Sequence, residues 1–175
     1  AIGTTPAGYA AGNLSVQTTT NQVNLLVATS ANPGSFAFWN GAHTTPNNLV
    51  NGGAGTWSAA GTNWTNAGGS ASGVYDPAAM LIFQGTPGTI TVSAGGGALD
   101  VNGGVQFFVD GYKVAGDALN LTAAATPIRV GDGTAAGASM TATISSALTG
   151  TGGLAKTDLG TLVLSISGMI RAAGC

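Results

Sequence analysis

The chain has 175 residues, among them 30 glycines, four basic and six acidic residues, and its net charge is −2. Because the four basic residues lie far apart, they form no stripe that could follow a phosphate backbone, which excludes nucleic acid and anionic membranes as expected partners. Apolar residues make up 44% of the chain, too many for a disordered chain of low charge, so we expect one folded domain over residues 1–175.

Two further features of the whole chain narrow the class of protein. No apolar run reaches the roughly 20 residues that a membrane-spanning helix needs. The single cysteine, Cys175, is the last residue and cannot form a disulfide within the chain. We therefore expect a domain without an internal disulfide framework.

Residues 1–35 are predicted to form short leading strands. Alternating apolar residues indicate one strand around Leu14 and Val16 and a second over residues 23–27. The stretch Thr18–Asn21 is the predicted turn between them.

Residues 36–79 form a long aromatic-containing excursion that differs from the rest of the chain. It holds all three tryptophans, Trp39, Trp57 and Trp64, and the one histidine, His43, among Asn, Gly, Thr and Ser. Tryptophan faces stack on sugar rings and peptide planes, so these four residues are the predicted ligand-binding residues, for a glycan or a protein. The alternative is that the aromatic side chains pack the excursion onto the flank or the end of the domain.

Residues 80–168 show continuous alternation of apolar and small polar residues, broken by glycine or Asp-Gly at short intervals. Sandwich strands are usually longer and carry charged outer faces, whereas these strands are short and flanked by Thr, Ser and Ala. The pattern favours an all-β fold of the right-handed parallel β-helix (solenoid) type, with rungs of roughly 20–25 residues. Residues 169–175 are expected to be a tail.

The clearest repeat signature is at residues 148–168, which read L-T-G-T-G-G-L-A-K-T-D-L-G-T-L-V-L-S-I-S-G. Glycines before and after a short strand predict two tight corners, and the alternating residues from Leu162 to Ile166 predict a strand. The predicted structural-repeat residues are Gly150, Gly152, Gly153, Leu154, Lys156, Gly160, Leu162 and Leu164.

This signature resembles the glycine-rich repeat of bacterial autotransporter passenger domains, L-x-G-x-G-G-L-x-K-x-G-x-G-T-L-x-L-S-G, with Asp158 in place of one glycine. The phrases F-A-F-W-N-G at 36–41, F-F-V-D-G-Y-K-V-A-G-D-A-L-N-L at 107–121 and I-R-V-G-D-G-T at 128–134 are also similar to that family. The resemblance implies a parallel β-helix exported by type V secretion, at the bacterial cell surface or secreted. It also implies a partner, the outer-membrane β-barrel translocator of the same precursor.

No catalytic constellation emerges from the sequence. No serine lies in a G-x-S-x-G elbow, and a calcium motif is only approached at 95–100. We therefore expect no enzyme, no cofactor and no metal. The weak alternative is a polysaccharide-degrading β-helix enzyme using a basic residue near a carboxylate. Its candidate groups are Lys113 with Asp110 and Asp117, or Arg129 with Asp132, and each pair is as easily a surface ion pair. We favour a structural role for Asp110, Asp132 and Asp158, as Asx turns at the corners.

The favoured functional hypothesis is a non-enzymatic passenger segment, an extracellular β-helical scaffold that assists folding and outer-membrane translocation. The alternative is a surface adhesin module that binds host glycan or protein through the Trp-rich excursion. Exposed end rungs also predict some end-to-end self-association.

Overall fold

The computed structural model describes residues 36–165 in full, together with the backbone of two strands nearer the start, β1 (Leu14–Thr19) and β2 (Gln22–Val27). The described residues are almost entirely strand and turn, and their one helical element is a 3₁₀ turn at Ala135–Ser139. None of the described helical structure is long and apolar enough to cross a membrane.

Strands β1 and β2 pair antiparallel, with Leu14 opposite Val27 and Thr19 opposite Gln22. Both strands lie where the alternation predicts them, and β1 continues through Thr19, two residues into the predicted Thr18–Asn21 turn. The other residues of 1–35 lie outside the described part of the chain, as do Ile166, the predicted tail and Cys175.

The remaining strands are short. They are β3 (Phe36–Trp39), β4 (Gly55–Trp57), β5 (Trp64–Thr65), β6 (Ser72–Gly73), β7 (Met80–Phe83), β8 (Thr89–Val92), β9 (Ala98–Asp100), β10 (Val105–Phe107), β11 (Lys113–Gly116), β12 (Ala118–Asn120), β13 (Ala125–Val130), β14 (Thr141–Ile144), β15 (Leu148–Thr149), β16 (Gly153–Thr157) and β17 (Thr161–Leu164). Glycine or Asp-Gly separates most of them, as the spacing predicts.

From β7 onward the chain visits three sheets in a repeating order. The first sheet has the order β16-β13-β10-β7-β3-β5-β6, the second β17-β14-β11-β8-β4, and the third β15-β12-β9. Strands that follow one another in the chain thus lie in different sheets, and each pairs in parallel with the strand of the same sheet one rung away. This all-β arrangement of parallel sheets is compatible with the predicted solenoid.

Register partners across a parallel pair face the same side of a sheet, so the pairings identify the columns that point inward. One column runs Leu81–Val105–Ile128 and a second runs Phe83–Phe107–Val130, and all six residues are buried. The same pattern in the second sheet buries Ile90, Val114 and Ile144. The core therefore lies between the sheets and is continuous from rung to rung.

The parallel ladders begin earlier than the sequence indicates. Within the excursion, β3 pairs in parallel with β7, and β4 pairs in parallel with β8. The next two strands of the excursion run in the opposite sense to their neighbours: β5 lies antiparallel to β3, and β6 lies antiparallel to β5. The excursion thus contributes strands to two sheets, and β5 and β6 end the parallel series of the first sheet.

Candidate functional site

The three tryptophans form one buried aromatic cluster at the β3–β6 end of the stack. Trp39 and Trp57 are 0% exposed and Trp64 is 2% exposed. Trp64 is central: its ring lies 5.3 Å from that of Trp39, 5.4 Å from that of Trp57 and 5.5 Å from that of Phe83, each measured between centroids and near edge-to-face. Tyr75 also belongs to the cluster: its ring centroid lies 5.5 Å from that of Trp57, and the angle between the two ring planes is 85°. Such edge-to-face contacts add to the free energy gained from burial.

The cluster continues along the stack through residues in register. Phe83 and Phe107 are partners across β7 and β10, and their rings stack at 5.3 Å with 20° between planes. Tyr112 lies against both rings. The aromatic end is therefore packed into the same core as the regular rungs rather than onto their outer surface.

The positions of the indoles follow from strand alternation. Trp39 ends β3 on the inward side, directly opposite Trp64 on β5. The indole N–H of Trp39 donates to the carbonyl of Gly53 at 2.8 Å. The buried N–H groups of Trp57 and Trp64 have no acceptor among the described residues.

These positions do not support the ligand-binding role predicted for the tryptophans. A sugar or a peptide can stack only on an open ring face, and the three rings are enclosed by one another and by the core. Their contacts are those of core residues, which agrees with the alternative that the aromatic side chains pack the excursion onto the domain. His43 is placed apart from them, exposed in a turn where its backbone N–H donates to the carbonyl of Asn40 at 3.0 Å.

Buried asparagines hold the loops of the excursion, a feature that the sequence analysis missed. The Asn40 side-chain oxygen accepts from the backbone and side-chain nitrogens of Asn51, at 2.8 and 2.9 Å. The Asn63 side chain donates to the carbonyls of Gly41 and Thr56, at 2.6 and 3.1 Å. Asn40 is 0% and Asn63 5% exposed. The Asn-Gly pairs at 40–41 and 51–52 were the signal available in the sequence.

Hydrogen bonds of the Tyr112 hydroxyl connect the excursion to the rungs. This hydroxyl lies 2.7 Å from the carbonyl oxygens of Gln84 and Thr86, to which it can donate, and it accepts from the backbone N–H of Gly53 at 3.3 Å. Burial raises the pKa of Tyr112 to about 12. The hydroxyl is therefore held neutral, as a donor needs to be.

Several carboxylates accept hydrogen bonds from backbone N–H groups at the corners. Asp117 accepts from the N–H groups of Ala94 and Gly96, and the hydrogen bond from Ala94 is the largest cause of its lowered pKa. Asp132 accepts from the backbone and hydroxyl of Thr134, which lowers its pKa and forms the predicted Asx turn. Asp110 instead accepts from the N–H of Thr141, 31 residues away. The Asx-turn prediction is wrong for Asp110, because its partner lies on the next rung.

Arg129, named as a candidate group beside Asp132, pairs with a different carboxylate. Arg129 Nε donates to Asp158 Oδ2 at 2.8 Å, the one ion pair found among the described residues, so Lys113 pairs with neither Asp110 nor Asp117. Asp158 also accepts from the N–H groups of Leu159 and Gly133. The hydrogen bond from Arg129, followed by that from Leu159, holds the pKa of Asp158 below its ordinary value. Asp158 thus links two successive rungs.

The repeat glycines serve two different purposes. Gly150 has φ +108°, the left-handed region that the sequence analysis expected at this corner. Gly152 does not have a positive φ; it is needed because a Cβ there would lie 2.0 Å from the carbonyl oxygen of Ala123. Gly160 is likewise crowded, against Val130, while Gly153 begins β16 in a more open position. Two of these glycines therefore allow close approach of rungs rather than unusual backbone angles.

The repeat's larger side chains occupy the last described rung. Leu154 and Leu162 pack against the core, whereas Leu164 is 43% exposed and Lys156 is exposed. Asp158, which replaces a glycine of the family motif, has φ +65°, a left-handed backbone angle that glycine adopts without strain.

Within residues 36–165, no three His, Cys, Asp or Glu side chains gather as a metal site would require. Asp110, Asp117 and Asp132 each accept hydrogen bonds from backbone N–H groups instead. These hydrogen bonds stabilise the rungs and the corners between them.

Comparison with known proteins finds an autotransporter among the relatives of the chain. The chain is 46% identical over 160 residues to the Adhesin BmaC autotransporter of Brucella suis biovar 1 (strain 1330), an alignment that covers 86% of this chain and 5% of that protein. No family model matches the chain. No solved structure matches it either. On the strength of this identity and of the repeat, the chain belongs to the bacterial autotransporters, as a passenger segment exported to the cell surface or secreted.

Proposed function

We propose that this segment is a non-enzymatic structural scaffold of an autotransporter passenger, which assists the folding of the passenger and its translocation across the outer membrane. The observation that supports this most directly is the unbroken core, which runs in register from the Trp39–Trp57–Trp64 cluster to the last rungs. Each rung buries its apolar residues only by stacking on the previous one, so a folded rung provides the surface on which the next one forms.

We propose further that the three sheets close into a right-handed parallel β-helix. The repeating visit to the first, second and third sheet supports this, since each rung then completes one turn around the common core. Right-handed connection of parallel strands is the strong preference in proteins. A crystal structure of the chain would test it, and separate, unclosed sheets would contradict it.

The partner in this proposal is the outer-membrane β-barrel translocator of the same precursor. The chain spans about a twentieth of the length of its relative, since it covers 5% of that protein. The rest of such a precursor therefore has ample room for a translocator and for other passenger segments, and the segment described here would act as one structural portion of a long exported chain.

The scaffold proposal can be tested in a precursor that carries this segment. Trp64→Ala removes the central ring of the aromatic cluster, and His43→Ala is the matched control in the same excursion at an exposed position. We expect Trp64→Ala to lower the amount of protease-resistant passenger at the cell surface, and His43→Ala to leave it unchanged. Surface display at the parental level by a Trp64→Ala precursor whose isolated segment is shown to be destabilised would refute the scaffold role.

A second candidate function is adhesion, which the name of the relative favours because that protein is called an adhesin. The exposed part of the excursion would carry it: His43, Leu49 at 61% exposure and Val74 at 56%. Binding of the labelled chain to host cells and a glycan panel would test this role. Saturable binding that His43→Ala or Leu49→Ala reduces, with an unchanged melting temperature, would support adhesion. Absence of binding by the folded chain would count against it.

We also propose that the segment has no enzymatic activity. Arg129, one of the two basic candidates for a polysaccharide lyase, is engaged by Asp158 in the corner between rungs. Release of unsaturated sugars from a polysaccharide panel, abolished by Lys113→Ala, would contradict this proposal.

A further inference from the structure

The third sheet carries a row of polar side chains on its outer face. Its inward column is apolar and belongs to the core or packs against it: Leu99, Leu119 and Leu148. The next residue of each strand points outward by alternation, and the three are register partners that form the polar ladder: Asp100, Asn120 and Thr149. Asp100 and Thr149 are exposed and Asn120 is partly exposed. The ladder is therefore open to solvent, with steps of about 4.8 Å from rung to rung.

Asp100 differs from the other acidic residues in what its carboxylate binds. All six acidic residues of the chain are aspartates within residues 36–165. Five of them accept a hydrogen bond from a backbone N–H: Asp76, Asp110, Asp117, Asp132 and Asp158. The partner of the Asp100 carboxylate within those residues is a side chain instead, since Asn120 Nδ2 donates to Asp100 Oδ1 at 2.6 Å. The structural role of the other carboxylates therefore does not explain Asp100.

The pair Asp100–Asn120 has hydrogen-bonding capacity left over. A carboxylate has about four acceptor sites, and an Asn side chain has an acceptor oxygen beside its two N–H donors. Within residues 36–165, Asp100 Oδ2 and Asn120 Oδ1 accept no hydrogen bond. A second polar pair is also at the surface, where the Thr122 hydroxyl donates to Asn102 Oδ1. Donors and acceptors thus stand side by side on paired strands.

Tyr75 reaches the polar ladder from the aromatic cluster. Burial, followed by the negative charge of Asp100, raises the pKa of Tyr75, which places the Tyr75 hydroxyl near that carboxylate. The Tyr75 side chain is partly exposed. The open part of its ring adds an apolar surface beside the hydrogen-bonding groups, the combination on which a sugar ring can rest.

The charge and the pairing of the third sheet narrow the kind of ligand. Its strands β9, β12 and β15 contain no Lys or Arg, and Asp100 is negative, so phosphate, sulfate and acidic sugars are unfavourable ligands. Strand β12 is paired on both sides, which leaves it no open edge on which a peptide strand could add. The face offers side chains to a neutral ligand rich in hydroxyl groups.

We propose that the polar ladder Asp100–Asn120–Thr149 is a binding site for a neutral glycan. Each sugar hydroxyl is both donor and acceptor, so two neighbouring hydroxyls can donate to Asp100 Oδ2 and Asn120 Oδ1 at the same time. A longer glycan lies along the ladder, across the strands, with Tyr75 at one side. This site goes beyond the scaffold role and uses residues other than His43, Leu49 and Val74, which would carry adhesion by the excursion.

Binding of the purified chain to immobilised oligosaccharides tests the proposal, with maltotriose, cellotriose and N-acetyllactosamine as neutral probes and sialyllactose and heparin as acidic probes. We expect saturable binding of at least one neutral probe and none of the acidic ones. Asp100→Asn replaces the open acceptor Oδ2 by an N–H donor, and Asn120→Ala removes the neighbouring acceptor. Each should weaken binding at least about tenfold and leave the melting temperature unchanged.

The matched control is Asp110→Asn, the same substitution at a carboxylate that accepts from the backbone N–H of Thr141. It should lower the melting temperature and leave glycan binding unchanged. A folded parent chain that binds no neutral probe overturns the proposal, as does preferred binding of heparin or sialyllactose, or binding that Asp100→Asn and Asn120→Ala leave intact. Binding lost in Leu49→Ala but kept in Asp100→Asn would assign adhesion to the excursion and remove it from the ladder. Surface display of a precursor with Asp100→Asn should match the parent, so these outcomes are separate from the test of the scaffold role.

Discussion

Arg129 and Asp158 join two successive rungs through a hydrogen bond of 2.8 Å between Arg129 Nε and Asp158 Oδ2, although they are 29 residues apart in the chain. Asp158 also stands at φ +65°, where the family motif has a glycine. A residue that departs from the motif thus stands in left-handed backbone and adds a bond between rungs. The Asp158 side chain is 7% exposed and that of Arg129 40% exposed.

We expect Asp158→Ala to lower the melting temperature by a few degrees near neutral pH, because it removes the bonds to Arg129, Gly133 and Leu159 and leaves a Cβ in left-handed backbone. Asp158→Gly should be less destabilising, since glycine accepts that backbone angle without strain. Thermal melts of the two variants and the parent measure this order. Equal melting temperatures for parent and Asp158→Ala would show that the carboxylate contributes nothing.

The same carboxylate gives the stability a dependence on pH. The pKa of Asp158 is lowered in the folded chain from an ordinary value of 3.8, as are those of Asp117 and Asp132. Their contribution is therefore fully present above about pH 4 and is lost as the pH falls through the folded pKa values. The difference in melting temperature between parent and Asp158→Ala should shrink in acid. A difference that is constant down to about pH 2 would contradict this assignment.

The aromatic cluster allows a comparison of two tryptophans that differ in one hydrogen bond. Trp64→Ala should cost about 3–5 kcal/mol of unfolding free energy, as large-to-small changes of buried aromatics do. Trp39→Phe should cost about 1 kcal/mol more than Trp64→Phe, because only Trp39 donates its N–H, to Gly53, whereas the buried N–H of Trp64 has no acceptor among the described residues. Urea unfolding of the four chains measures these differences. A Trp64→Phe chain as unstable as Trp39→Phe would argue against the role of the bond.

The raised pKa of Tyr112 predicts that the folded chain loses stability at alkaline pH. The pKa of this residue is raised from 10.0 to about 12, so its contribution is fully present below about pH 10 and is lost as the pH rises toward 12. Tyr112→Phe should cost about 1–2 kcal/mol at neutral pH, since it leaves Gly53, Gln84 and Thr86 without this partner, and it should flatten the alkaline loss. Unfolding curves measured between about pH 7 and pH 11 test both statements. If the unfolding free energy of Tyr112→Phe falls with rising pH as much as that of the parent, other groups cause the loss.

Two adjacent glycines of the repeat test the close approach of rungs. A Cβ at Gly152 would lie 2.0 Å from the Ala123 carbonyl oxygen, whereas the nearest atom to a Cβ at Gly153 is the Ala124 carbonyl oxygen at 3.0 Å. Neither glycine has a positive φ, so backbone strain is the same in both. Gly152→Ala should cost about 2 kcal/mol or more and Gly153→Ala less than about 1 kcal/mol. Denaturant unfolding of the pair is the measurement, and equal costs would contradict the crowding explanation.

Much of the fold could be predicted because the signals for it are local. Alternation of apolar and small residues over a few positions identified the strands near Leu81, Ile90, Val105 and Ile128, and glycine identified the corners between them. The repeat from Leu148 identified the family, which the identity to an autotransporter supports. The 3₁₀ turn at Ala135–Ser139 has no such periodic signal and was not expected.

The sequence by itself determined the strand content, the corners and the family of this protein, because each depends on residues that are neighbours in the chain. Only the tertiary structure decided that Trp39 and Trp64 are buried against each other, that Arg129 pairs with Asp158 rather than Asp132, and that Lys156 lies in an inward column. Those relationships join residues that are distant in the chain and lie on neighbouring strands. Their register depends on corner lengths that vary from rung to rung, so the partner of a side chain follows only from how the rungs stack.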